Sequence, residues 1–350
     1  MKLVAVSDVF MHPEYYTEAV KNFPEFELTK VIHFGADDRS IMREISYKIE
    51  RGGSEAVEPP AELWDAVEDA DVLMVHICPV PAKLIERAKN LKMILLNRGG
   101  SENVDLEAAS CRGIAVLGNP AHNANAVAEF AVGMMLSETR NIARAHAALK
   151  QGTWREKYPR SERIYELRGR TLGIVGFGTI GRLVAERLSG FHMNIIASDP
   201  NVAADDPDLA RLGVTLCDTE TVMKAADIIT LHARSTEIVL SERELSLMRP
   251  DAFFINSARP HLIDNEYLAK MLAEGRLAGA ATDVFMNEPV EPEHPFLALD
   301  NITLSNHRAG DTVNSYADSP AMLFTESRKL LAGGEPRFWR NRKDTVKYYR

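Results

Sequence analysis

Three stretches late in the chain end apolar runs with residues that ionise: "FFINSARP" offers Arg259, "ATDVFMNEP" offers Asp283 and Glu288, and "ITLSNHRAG" offers His307. An arginine presents a planar fork that binds a carboxylate through two parallel hydrogen bonds. A histidine exchanges a proton near neutral pH, and a carboxylate beside it fixes which ring nitrogen carries that proton. Hydride transfer between a nicotinamide and a 2-hydroxy acid wants this set: a cation for the acid group, a base for the hydroxyl proton, and an anion to orient the base. The competing reading of His307 is a polar plug where a strand meets a loop.

A second motif supplies the hydride carrier. In "TLGIVGFGTIGRLVAERL" the glycines Gly176, Gly178 and Gly181 form G-x-G-x-x-G between an apolar run and a helix-like stretch. The first glycine permits the tight turn, the second lets backbone approach a pyrophosphate, and the third lets helix pack on strand, with the helix amides facing the phosphates. The next apolar run, "MNIIASD", ends in Asp199, placed to accept from ribose hydroxyls and to repel a 2′-phosphate. No arginine follows in "DPNVAADD", so NAD is the expected cofactor. The bland alternative is a tight turn with a solvated aspartate.

These residues need strands whose carboxyl ends share one edge. Short apolar runs such as "KLVAV", "DVLMVHI", "KMILL" and "IAVLG" alternate with helix-like stretches over the first 118 residues, and seven more runs lie between 171 and 307. That alternation is the pattern of βα units around parallel sheets, so the expected class is α/β with two Rossmann-like doubly wound domains. Between them, residues 123 to about 150 are free of proline and rich in Ala, Leu, Met and Glu, which predicts one long helix linking the domains. The tail from Arg337 to Arg350 is basic and aromatic and is expected to be a surface extension or dimer contact.

The chain has 350 residues, 45% of them hydrophobic, with 50 acidic against 41 basic residues and a net charge of −9. Such a balance leaves no global attraction for nucleic acid or an anionic membrane. Cys78, Cys111 and Cys217 are odd in number and widely spaced, which argues against a disulfide framework or a C-x-x-C metal site and fits the cytoplasm. No metal is expected, nor any signal peptide or membrane span.

The order of G-x-G-x-x-G with a downstream Asp, "NSAR", "DVF..EP" and a late histidine resembles the D-isomer-specific 2-hydroxyacid dehydrogenases, which include phosphoglycerate dehydrogenase and hydroxypyruvate reductase. "SENVDLEAA" and "NANAVAEF" extend the resemblance to roughly residues 70–320. It implies two similar domains with the active site in the cleft between them. Residues 1–120 plus 312–350 would bind substrate and 121–311 would bind NAD, with the helix from 123 contributing to a homodimer. It makes Arg259 the binder of substrate carboxylate and carbonyl, Glu288 the partner of the histidine, and His307 the proton donor and acceptor. Asp283 would hold the nicotinamide carboxamide and Thr179 with Ile180 would lie against the pyrophosphate, while Ala233, Ser257 and Ala258 would line the cofactor. "NRGG" would place Arg98, Gly99 and Gly100 on the substrate carboxylate.

Several positions depart from the family pattern. Asn306 and Arg308 flank His307, "LHARST" carries Ala233 and Arg234 where H-x-P-x-T is usual, and His76 stands near where phosphoglycerate dehydrogenases carry arginine. Arg308 is expected to bind a second anionic group on the substrate, or else to pair with Asp311. The implied reaction is the NAD-dependent interconversion of a small D-2-hydroxy acid and its 2-oxo acid, phosphoglycerate-like compounds leading. Hydroxypyruvate or glyoxylate reduction is the alternative within the family, and a dinucleotide-sensing corepressor-like protein the alternative outside it.

Overall fold

The computed structural model describes residues 1–349; Arg350, the last basic residue of the tail, lies outside the described residues. Backbone contacts divide the chain into two compact units, Met1–Asn123 together with the stretch from Thr312 onward, and Ala124–Asp311.

The first unit is built on five parallel strands, β1 (Lys2–Ser7), β2 (Glu27–His33), β3 (Val72–Val75), β4 (Met93–Leu96) and β5 (Ala115–Gly118), in the order β2-β1-β3-β4-β5. Every residue of β3 and β4 is buried, as expected where both faces of a parallel sheet are covered. Strand β2 lies at one edge with most of its residues exposed or half-exposed, and its mixed sequence "ELTKVIH" shows no continuous apolar run. The other edge is closed by the tail. Phe338 O accepts from Gly118 N at 3.0 Å and Arg340 N donates to Val116 O at 2.8 Å, so residues 338–340 run antiparallel along β5. Within its own unit, then, the tail is an edge cover and not a loose extension, because an open strand edge needs its amides and carbonyls paired.

The second unit carries seven parallel strands: β6 (Thr171–Val175), β7 (Asn194–Ser198), β8 (Val214–Leu216), β9 (Ile228–Leu231), β10 (Phe253–Asn256), β11 (Gly279–Thr282) and β12 (Ile302–Leu304). Their order is β12-β11-β10-β9-β6-β7-β8. Period-two alternation gives each face its own core, with Ile229, Phe254 and Ala280 on one side and Ile228, Ile255 and Ala281 on the other. The order reverses at β6, which has β7 on one side and β9 on the other; ligands of open parallel sheets bind at such a switch point, beyond the carboxyl ends of the strands.

The expected single helix after residue 123 is two helices, Ala124–Thr139 and Ile142–Lys150, both inside the second unit. The break is at Asn141, whose φ of 56° is left-handed, a conformation that asparagine tolerates better than most residues. Arg144 holds it there, donating to Asn141 Oδ1 at 3.1 Å and to both oxygens of buried Glu138 at 2.8 Å, while Thr303 Oγ1 adds a bond to Glu138 at 2.7 Å. Composition favoured helix throughout; a side-chain network ended it.

Candidate functional site

Adjacent strands β11 and β12 deliver Asp283 and the 305–309 loop side by side. Asp283 is fully buried, and its carboxylate accepts from Ser305 Oγ at 2.7 Å, Arg308 N at 2.8 Å and Ala309 N at 2.8 Å. Its main-chain oxygen accepts from His307 N at 2.9 Å. A buried carboxylate is tolerated only when donors replace its water, and here the donors are the loop itself. The bonds hold His307 at a φ of 57°, in the left-handed region that costs most side chains energy and recurs at functional sites.

On that loop His307 Nδ1 lies 2.8 Å from Glu288 Oε2, and Glu288 Oε1 accepts from Phe285 N at 3.1 Å. A carboxylate facing Nδ1 requires the proton there, which leaves Nε2 as the atom that can give or take one. The His307 side chain is about half exposed, at 47%, so that nitrogen is reachable. Arg308 next to it turns its guanidinium onto Asp311.

Arg259 is exposed at the end of β10 and donates to Ala258 O at 2.8 Å. Buried Asn256 braces the turn from within, donating to Arg259 O at 3.2 Å and accepting from Ala258 N at 3.0 Å. Sequence reasoning passed over Asn256, although a buried amide closing an apolar strand is the available signal. The neighbouring Ser257 hydroxyl is buried with no hydrogen-bond partner among the described residues.

At the switch point Gly176 has a φ of 94°, and a Cβ there would meet Ala233 N at 2.4 Å. A Cβ on Gly181 would meet Gly176 O at 2.3 Å, whereas one on Gly178 would meet no protein atom within 4 Å. Thus two glycines are needed for packing and the third faces open space, where a ligand's phosphates would otherwise strike a side chain. The helix Thr179–Leu188 starts there with no side-chain cap, and Thr179 and Ile180 are half-buried in its first turn. Asp199 follows β7, accepting from Phe177 N at 2.9 Å and Asn201 N at 2.9 Å. Beside Ala233, His232 bonds Thr230 Oγ1 at 2.9 Å, and desolvation pushes its pKa down to about 4.

These residues therefore all lie at the carboxyl edge of the second unit's sheet. Arg98, Gly99 and Gly100 follow β4, at the carboxyl edge of the first unit's sheet. There Arg98 pairs with Glu50 at 2.7 Å and approaches Glu102 at 3.7 Å. The same edge holds a pair that the sequence did not reveal: His76 Nδ1 lies 2.9 Å from Asp8 Oδ2, joining the ends of β3 and β1. Burial pushes the Asp8 carboxyl up, but the His76 charge and hydrogen bond, with the Met11 and Phe10 amides, outweigh it and hold the group below the ordinary carboxylate range. Desolvation pushes His122 down to about 4, with the charges of His76 and Arg98 adding to the shift and a bond to Ser315 O opposing it.

The family model for the D-isomer specific 2-hydroxyacid dehydrogenase, NAD binding domain, matches residues 132–309. The chain belongs to that family. It is 36% identical over 277 residues to a D-3-phosphoglycerate dehydrogenase of Methanocaldococcus jannaschii, covering 78% of this chain and 52% of the relative. It is 38% identical over 260 residues to a hydroxypyruvate reductase of Thermotoga maritima, covering 73% and 82%. The chain thus spans about half the length of the phosphoglycerate dehydrogenase. Among solved structures, a 2-hydroxyacid dehydrogenase from Ketogulonicigenium vulgare Y25 is 27% identical with a TM-score of 0.67, covering 97% of each chain. As a 2-hydroxyacid dehydrogenase family member, the protein carries its NAD binding domain on the sheet with the open Gly178 cradle, the uncapped helix and Asp199, and these features fit a dinucleotide.

Proposed function

We propose that this protein is an NAD-dependent dehydrogenase that interconverts a small D-2-hydroxy acid and its 2-oxo acid. The observation that carries the reading is the 2.8 Å contact of Glu288 with His307 Nδ1, on a loop pinned by Asp283 at the carboxyl edge of the NAD binding domain. Residues 121–311 bind NAD, and residues 1–120 with 312–350 bind substrate.

Gly176, Gly178, Thr179, Ile180 and Gly181 hold the pyrophosphate, Asp199 the ribose, and Ala233, Ser257, Ala258 and Asp283 flank the nicotinamide end. Ser257 Oγ is the best fitted of these, since its buried hydroxyl awaits a partner. Asp283 also braces the loop that carries His307, its carboxylate accepting from Ser305, Arg308 and Ala309. NAD held in this cradle would, in its reduced form, supply the hydride for the 2-oxo carbon. Arg259 binds the substrate carboxylate through its fork, and His307 Nε2 gives the proton that turns the carbonyl oxygen into a hydroxyl. In the oxidative direction the same nitrogen takes that proton back. Glu288 keeps Nδ1 protonated and bears the opposite charge when the ring is an imidazolium.

The substrate carries a further polar or anionic group, phosphoglycerate-like compounds leading. Arg308 is the cation that would take it, exchanging Asp311 for the substrate's anion, while the amides of Gly99 and Gly100, with the charge of Arg98, would meet the substrate carboxylate. The protein forms a homodimer, a reading supported by the apolar residues Ile142, Leu149, Trp154 and Tyr165, all at least half exposed on one stretch of the second unit.

The deciding experiment follows NADH oxidation over a panel of 2-oxo acids in phosphorylated and unphosphorylated pairs, for wild type and for Arg259→Gln and His307→Gln. Turnover by wild type, lost on the order of 10²-fold or more in both variants with NADH affinity retained, is the expected result. Full activity in both variants would overturn the mechanism.

A further inference from the structure

We propose that the C-terminal segment is part of the substrate apparatus, and that Arg340 is a positioning residue for the "NRGG" loop. The inference rests on the reading that Gly99 and Gly100 meet the substrate carboxylate.

The segment is placed with more bonds than an edge cover needs. After the antiparallel pairing of 338–340, Asn341 takes over: its Oδ1 accepts from Val116 N at 2.9 Å, and its Nδ2 donates to Ile114 O at 2.8 Å and Ser110 Oγ at 3.1 Å. Tyr349 Oη then accepts from Ala115 N at 3.2 Å. Trp339 is buried between them against the core beneath β5. Bracketed by these anchors, the Arg340 side chain crosses β5 at Gly118. A Cβ on Gly118 would stand 2.6 Å from Arg340 Nε, so the glycine leaves the passage open. At the far end Arg340 Nη2 donates to Gly99 O.

That last bond fixes a direction. A trans peptide is planar, with its C=O and the following N–H pointing opposite ways. Tying Gly99 O to Arg340 turns the Gly100 N–H away from the guanidinium. The positive charge on the carbonyl also polarises the peptide and strengthens that N–H as a donor to an anion. Glycines at 99 and 100 could otherwise rotate freely. The loop is held on either side through Asn119 N to Arg98 O at 3.0 Å and Asn97 N to Val75 O at 2.9 Å, and the Gly99 carbonyl between them is held by Arg340.

The test uses full-length protein and the 2-oxo acid that wild type reduces fastest. Arg340→Ala is expected to raise the KM for that acid about tenfold while kcat and NADH affinity stay within about twofold, the signature of lost ground-state binding. Millimolar guanidinium should restore the KM, because the passage beside Gly118 stays open; loss of structure alone would not respond. If the alanine variant does not fold, Arg340→Lys, which keeps stem and charge with one donor, should show a smaller rise of the same kind. Folded variants with wild-type KM overturn the inference while leaving the dehydrogenase reading intact. A wild type inert towards every 2-oxo acid sinks that reading and this inference with it.

Discussion

Glu288 Oε2 stands 2.8 Å from His307 Nδ1, although 19 residues separate them, because Glu288 is itself tied to Phe285 N and His307 to Asp283 O. Each partner is anchored to main chain on its own side, so the contact is set before any ligand arrives. Glu288→Gln can still accept from Nδ1 but loses the charge that opposes the imidazolium. We expect kcat to fall roughly 10- to 100-fold with NADH affinity unchanged, measured by steady-state kinetics and fluorescence titration. An unaltered kcat would remove Glu288 from the mechanism.

Asp283 separates positioning from charge. In Asp283→Leu the Ser305 hydroxyl and the amides of Arg308 and Ala309 lose their acceptors inside the protein. Unsatisfied buried donors cost about 1–3 kcal/mol each, so the unfolding free energy from a urea titration should drop by several kcal/mol. Asp283→Asn keeps one acceptor oxygen and should recover part of that stability. Turnover should fall in both, since the side-chain bonds to Ser305, Arg308 and Ala309 that brace the loop on either side of His307 are lost or weakened, although the main-chain bond of His307 N to Asp283 O remains.

The three glycines after β6 should divide under substitution. Gly178→Ala places its Cβ in open space at an ordinary φ of −78°, so thermal stability should change by less than about 0.5 kcal/mol while NAD affinity falls at least tenfold. Gly181→Ala puts a Cβ 2.3 Å from Gly176 O and should destabilise the fold before any cofactor is added. Calorimetry with and without NAD distinguishes the two, and equal loss of stability in both variants would show that Gly178 faces protein.

Much of this was legible in the sequence, for stated physical reasons. Runs such as "TLGIVGFG" and "ADIITLH" are buried strands closed by glycine or a polar residue, and their ends gave the residue types that chemistry needs. What the sequence hid were features made only by distant contacts. Phe338 to Arg340 pair with β5 through an isolated antiparallel bridge because that strand offers an unpaired edge, and no periodicity in "PRFWRN" announces it. The helix break at Asn141 depends on Glu138 meeting Arg144 and Thr303. The bonds from Ser305, Arg308 and Ala309 to the Asp283 carboxylate join two strands far apart in the chain, whereas the pairing of Arg308 with Asp311, three residues on, was one of the two outcomes that the sequence offered.

Two imidazoles make stability depend on pH in a defined window. His122 in the first unit and His232 in the second are both held at about 4 against an ordinary 6.5. Above pH 6.5 they are neutral folded or unfolded and contribute no pH dependence. As pH falls below 6.5 the unfolded chain takes up protons that the folded chain refuses, so stability declines until about pH 4, by about 3 kcal/mol for each histidine. The Asp8 carboxyl works in the same direction in a lower window, its stabilisation being lost only as pH drops below the usual carboxylate range. Urea titrations across this range should show the decline in wild type and a flatter curve in His232→Gln, whose amide can still bond Thr230 but cannot take a proton. A wild-type midpoint that stays constant from neutral pH to about 4 would show that neither imidazole is as desolvated as its surroundings imply.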